Sequence, residues 1–189
     1  MAGEKTVWRI DPAHTAVEFA VKHMMFTTVR GRFKDVSGTI VVDEAHPENS
    51  SVEVEIAAAS IDTGVADRDA HLRSADFLDA ETHPTLSFKS KRIEGAHARE
   101  GDRFRVVGDL TIRGTTREVT LEATFEGTGQ DPWGGQRAGF RATTEIDRRD
   151  WGLQWNQALE TGGILVGNTV RIEIEAQAVK QQEAKGEAA

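Results

Sequence analysis

Phe104-Arg105-Val106-Val107-Gly108-Asp109-Leu110-Thr111-Ile112-Arg113-Gly114-Thr115-Thr116-Arg117-Glu118-Val119-Thr120-Leu121-Glu122-Ala123-Thr124-Phe125 contains two alternating runs around a single break. Before the break, Phe104, Val106, Gly108, Leu110 and Ile112 share one face. After it, Val119, Leu121, Ala123 and Phe125 alternate with Thr120, Glu122 and Thr124. A period of two sends successive side chains to opposite faces, so each run reads as a strand with one apolar and one wet face. Arg113-Gly114 followed by Thr115-Thr116 reads as a tight hairpin connection.

The same signature recurs on both sides of this hairpin. Val17, Phe19 and Val21 alternate with Glu18 and Ala20, and Val52, Val54 and Ile56 alternate with Glu53 and Glu55. Toward the C-terminus, Val170, Ile172, Ile174, Ala176 and Ala178 are set against Arg171, Glu173, Glu175 and Gln177. Ser37–Val42, Thr85–Ile93 and Ala138–Asp147 bring the count to about eight antiparallel strands. Strands of ten residues extend ~33 Å, and long, sequentially linked antiparallel strands favour an up-and-down barrel over a sandwich. An eight-stranded barrel is either filled by its side chains or holds one small ligand.

One segment departs from the pattern. Asp67-Arg68-Asp69-Ala70-His71-Leu72-Arg73-Ser74-Ala75-Asp76-Phe77-Leu78 reads as a short polar helix, around Asp69–Ser74, with Asp67 a candidate N-cap. In an all-β chain its place is across one end of the closed sheet. Residues 1–6 are expected to form a flexible start, 7–179 the barrel, and 180–189 a tail. Thr161-Gly162-Gly163-Ile164-Leu165 is expected to swing the chain into its final strand.

Composition narrows the function. With 189 residues the chain forms one domain, burying about 70% of the surface it exposes when unfolded. There is no apolar run near the ~20 residues a membrane helix needs, and no apolar secretory segment follows Met1, so cytoplasmic residence is expected. Cysteine is absent, which excludes disulfides, thiolate nucleophiles and cysteine metal sites. A net charge of −8 argues against nucleic acid as a partner.

Several motifs together resemble the YceI-like family. They are Trp8-Arg9-Ile10-Asp11-Pro12-Ala13-His14-Thr15, Arg68-Asp69-Ala70-His71-Leu72-Arg73-Ser74-Ala75-Asp76-Phe77-Leu78, His83-Pro84-Thr85-Leu86-Ser87-Phe88 and Gly108-Asp109-Leu110-Thr111-Ile112-Arg113-Gly114. Ile146-Asp147-Arg148-Arg149-Asp150-Trp151-Gly152 and Val166-Gly167-Asn168-Thr169-Val170 extend the resemblance over nearly the whole chain. It implies a lipocalin-like antiparallel β-barrel whose apolar pocket takes polyisoprenoids, quinone-like lipids or other long-chain amphiphiles, with barrels pairing into a homodimer. Many relatives carry an export signal, and none is expected here.

On the residues alone, the inward rows of Val17, Phe19, Phe33, Phe88, Leu110, Phe125, Phe140 and Ile146 read as an ordinary core, because small barrels usually pack their interiors. The resemblance reverses this and favours a ligand tunnel. Leu72 and Phe77 of the helical segment belong with those apolar walls. Met24-Met25-Phe26 forms either an adaptable entrance or a satellite core against the helix. Trp151 and Trp155 make the densest aromatic patch and are both candidates to line the pocket, with at least one of them expected to do so; the alternative is a tryptophan that plugs the base of the core. His14, His23, Arg68 and His71 are the candidates to face a polar or phosphorylated head group, for which arginine's planar donor fork is suited.

No His-x-His spacing, His-Glu-x-x-His helix or Gly-x-Ser-x-Gly elbow is present, so no metal, cofactor or catalytic set is expected. The expected activity is reversible encapsulation of a lipid for transport or sequestration. Two alternatives stand beside it: an enzyme using His14, His23 or His71 on a hydrophobic substrate, and a filled, ligand-free barrel acting as a stress-response interaction module.

Overall fold

The computed structural model describes residues 4–97, 99–159 and 165–182. Eleven strands follow in order: β1 (Lys5–Ile10), β2 (Ala16–His23), β3 (Thr27–Phe33), β4 (Val36–Asp43), β5 (Ser51–Ala57), β6 (Ile61–Asp62), β7 (Thr85–Glu94), β8 (Arg103–Ile112), β9 (Thr115–Gln130), β10 (Gln136–Asp147) and β11 (Val166–Lys180). The single α-helix among the described residues, α1 (Ala66–Arg73), lies between β6 and β7.

Every strand pairing among the described residues is antiparallel. Hydrogen bonding runs β1-β4-β5-β7-β8-β9-β10-β11 and returns from β11 to β1, closing an eight-stranded barrel. β2, β3 and β6 continue three of the staves past short breaks. β11 is long enough to pair with β1 through Ala178–Lys180 and with β2 through Val166 and Val170–Glu175. The first break falls at Asp11-Pro12, where proline has no N–H to give to a ladder. Asp11 caps the turn by accepting the Ala13 N–H at 3.0 Å.

The wet face of the barrel carries cross-strand ion pairs such as Lys91–Glu118 (3.0 Å) and Arg105–Glu122 (3.4 Å), which are exposed and contribute little each. The outer surface is tied more firmly where Arg137 bridges Asp11 (2.8 Å) and Asp131 (3.0 Å), joining the first break to the β9–β10 turn.

One end is closed by a packed cluster that includes Ile61, Leu78, Ile112, Ile146, Trp151 and Leu153. Trp151 is sealed into it and donates its indole N–H to the Leu110 carbonyl at 2.9 Å. The helix sits at this end too.

Several details differ from the sequence expectation. Lys5 and Thr6 are already in β1, paired with Asp43 and Val42, and Lys180 still pairs in β11 opposite Trp8, so the paired strands extend past 7–179 at both ends. Asp67 is not the N-cap: α1 starts at Ala66, which leaves Asp67 in its first turn. Asp69 instead reaches back and accepts hydrogen bonds from the Thr63 N–H (2.8 Å) and the Thr63 hydroxyl. Residues 161–164, expected to turn the chain into the last strand, and 183–189 of the tail lie outside the described residues.

Candidate functional site

The interior of the barrel is hollow. A cavity of about 1030 Å³ runs through it, walled by inward residues of every long strand. All eight residues of the expected inward rows line it: Val17, Phe19, Phe33, Phe88, Leu110, Phe125, Phe140 and Ile146. Six of these eight, together with Val52, Val54, Ile56, Leu121, Ile172 and Ile174, are only half-buried although they point into a closed sheet. No large side chain among the described residues is fully buried. A packed interior would bury most of them, because protein cores fill space as densely as organic crystals.

Two strand glycines keep the walls thin. A Cβ on Gly31 would lie 2.3 Å from the tip of the Phe19 ring, and one on Gly108 would lie 2.6 Å from the tip of Phe88. Each phenylalanine therefore lies flat over a neighbouring strand instead of standing across the lumen.

Polar groups gather at the two ends. At the helix end, His23, Arg68, His71 and Arg148 line the cavity with Trp155. The His71 ring is held edge-on to Trp155 (4.6 Å between centroids) and Phe77 (5.1 Å), and its Nε2 lies 2.8 Å from an Asp76 carboxylate oxygen. Arg68 donates to the Thr63 hydroxyl (2.7 Å) and carbonyl (2.9 Å) and meets no carboxylate among the described residues. Arg148 is 3% exposed and donates to the carbonyls of Leu153, Trp155, Val166 and Gly167. Burial holds its guanidinium below the ordinary arginine value, against the opposing pull of the Asp147 carboxylate. It stays charged, because arginine does not lose its proton in proteins. The opposite end is rimmed by Asp43, Glu44, Glu100 and Asp102 with His97 and Arg99. The cavity is thus more cationic at the helix end and more anionic at the other.

Of the residues expected at the site, Phe19, Phe33, Leu72, Phe77, Phe88, Phe140, Ile146, Trp155, His23, Arg68 and His71 line the cavity. Four do not. Trp151 is the plug of the pair, spent on the core. Met24 and Met25 point outward from the β2–β3 turn, 41% and 64% exposed. His14 sits outside the barrel at the first break, 60% exposed, with its ring Nδ1 held by Asp11 at 2.6 Å. Sequence reasoning missed Arg148 and the acidic rim. Arg148 stood in a quoted motif, but a guanidinium bound only by carbonyls leaves no partner pattern in sequence, and the rim, apart from Asp43 at the end of β4, lies on loops without periodicity.

A closed eight-stranded antiparallel barrel with a helix at one end and a hollow apolar interior is the lipocalin-like class of architecture. The family model for the YceI-like domain matches residues 8–178, and the chain belongs to that family. A UPF0312 protein of Pseudomonas putida is 38% identical over 169 residues, covering 89% of this chain and 83% of the relative. Protein YceI of Escherichia coli O157:H7 is 43% identical over 141 residues, covering 75% and 72%. Among solved structures, BcnA of Burkholderia cenocepacia superimposes with a TM-score of 0.76 at 26% identity, over 89% of this chain and 98% of that one. A polyisoprenoid binding domain from Saccharophagus degradans has a TM-score of 0.70 at 14% identity, over 92% and 98%, a likeness of fold. No helix among the described residues is long and apolar enough to cross a membrane.

Proposed function

We propose that this protein encloses a single long-chain amphiphile, a polyisoprenoid or quinone-like lipid, within the barrel and releases it unchanged. The observation that carries this reading is the hollow interior: about 1030 Å³ walled mainly by half-buried aliphatic and phenyl groups, with cationic side chains gathered toward the helix end and an acidic rim at the other. Sites for drug-sized ligands commonly occupy ~300–1,000 Å³ and bind through apolar walls with few polar anchors. Affinity comes from apolar burial of about 25 cal/mol per Å², which rewards chain length over head-group detail. The polyisoprenoid binding named for the Saccharophagus degradans domain supports this ligand class.

Arg68, His71 and His23 give the helix end donors for a polar or anionic head, while the acidic rim disfavours an anion at the other end. The ligand is therefore oriented, head toward the helix. Native mass spectrometry of gently purified protein, followed by organic extraction, tests the reading. One long-chain species at unit stoichiometry is the expected result. A bare protein that also refuses added polyprenyl and quinone lipids would refute it.

A further inference from the structure

We propose that the β2–β3 turn, Met24-Met25-Phe26, is a finger that enters the surface of a lipid bilayer. The turn is closed by the Phe26 N–H donating to the His23 carbonyl at 3.2 Å. Met24 and Met25 both hold positive φ, 52° and 65°. Glycine and asparagine adopt this conformation freely, whereas methionine does so under strain. The strained turn presents three large apolar side chains to solvent, with Phe26 85% exposed.

On its β3 side the hairpin reaches past the wall that supports it, while on its β2 side β11 stays paired up to His23. β6 pairs only with Arg32 and Phe33, which leaves the outer part of β3 beyond the end of that strand. Along the projecting part, Val21, His23 and Val29 still line the cavity, and Met24 donates its N–H to Leu165, another lining residue, at 2.8 Å. A track of lining residues, apolar except for His23, therefore leads from the lumen toward the tip.

Area selects the occupant. Three side chains on a tight turn expose far less than the ~800 Å² per partner of a stable protein interface. A bilayer accepts a small convex apolar tip without a matching pocket, and methionine adapts to a fluid surroundings. The net charge of −8 makes an electrostatically driven landing on anionic lipid unfavourable, so the contact is apolar.

That the finger would pass lipid between bilayer and lumen rests on the carrier reading, but its insertion can be measured separately. The chain has no cysteine, so Met25→Cys and Trp133→Cys each create one site for an environment-sensitive nitrobenzoxadiazole label. Trp133 is 86% exposed on the β9–β10 turn at the opposite end. With vesicles of phosphatidylcholine and phosphatidylethanolamine, the label at 25 should brighten at least about twofold and shift blue, while that at 133 stays unchanged. Replacing part of the lipid with phosphatidylglycerol should not strengthen the response. The unlabelled double variant Met25→Ser, Phe26→Ser should lose vesicle co-sedimentation about tenfold or more, and still take up a lipophilic probe to the same extent. No response at 25, or equal responses at 25 and 133, would overturn the proposal and leave the cavity reading standing. Insertion by a protein that takes up no lipid would instead refute the carrier reading and keep the finger.

Discussion

At the scale of single residues, absent side chains shape the cavity as much as present ones do. Gly31 and Gly108 lie beneath phenylalanine rings, but they differ in what an added methyl would meet. At Gly108 a Cβ lies 2.6 Å from the Lys89 backbone carbonyl as well as from Phe88, whereas the closest atoms at Gly31 are all of the movable Phe19 ring. Gly108→Ala should therefore destabilise by about 1–3 kcal/mol, the usual cost of overpacking. Gly31→Ala should cost less and instead push Phe19 into the lumen, weakening uptake of a bulky chain. Denaturant midpoints with probe titrations on both variants check this; equal stability losses would contradict it. Arg148 is the residue on which the helix end most depends, since its guanidinium holds four carbonyls from two chain segments together. Arg148→Met takes away the donor these carbonyls share, with the Asn156 amide still reaching Val166 at 2.8 Å, and should cost about 3 kcal/mol in denaturant unfolding. A variant as stable as the parent would show that the carbonyls find other partners.

At the scale of elements, what could be read in the sequence follows from which residues have a wet face. The eight long alternating runs were legible because water on one side and the lumen on the other force a period of two, and β8 and β9 follow it residue by residue. β3 was missed as a strand: Gly31 interrupts the pattern, and its meaning depends on the Phe19 ring one strand away. An inward glycine between large apolar neighbours, as at Gly108 between Val106 and Leu110, is the signal that would have revealed such rings. The breaks that divide three staves were not legible either, because they are set by which stretches pair and not by the pattern within them. One break is pinned electrostatically. Asp11 is held at about 2, below its ordinary 3.8, chiefly by Arg137 and then by His14. A carboxyl depressed on folding stabilises the native state fully above its ordinary value and loses that contribution as pH falls toward about 2. Removing the charge by Asp11→Asn should cost about 1 kcal/mol at neutral pH, allowing for solvent screening. The difference from the parent should vanish between roughly pH 4 and 2, as unfolding midpoints against pH would show; a difference independent of pH would contradict the ion pair's role.

For the molecule as a whole, the sequence left open whether the barrel is filled or empty. Alternation fixes which side chains face inward, but the space among them depends on barrel circumference and rotamers. The structure resolves this as a lumen of about 1030 Å³ with charge at both ends, and the filled-barrel alternative falls with it. Leu121 lies half-buried on the lumen wall, packed against the clusters of both the middle and the helix end. Leu121→Trp should therefore fill the space with little loss of stability, while weakening long-chain binding at least about tenfold. The most direct test of a hollow carrier is a calorimetric series of polyprenyl or alkyl chains with one head group and increasing length. Affinity should rise by up to about fourfold per buried methylene, then level off once the chain fills the lumen, with the plateau reached at shorter length in Leu121→Trp. Affinity independent of length, or no binding at any length, would contradict the account.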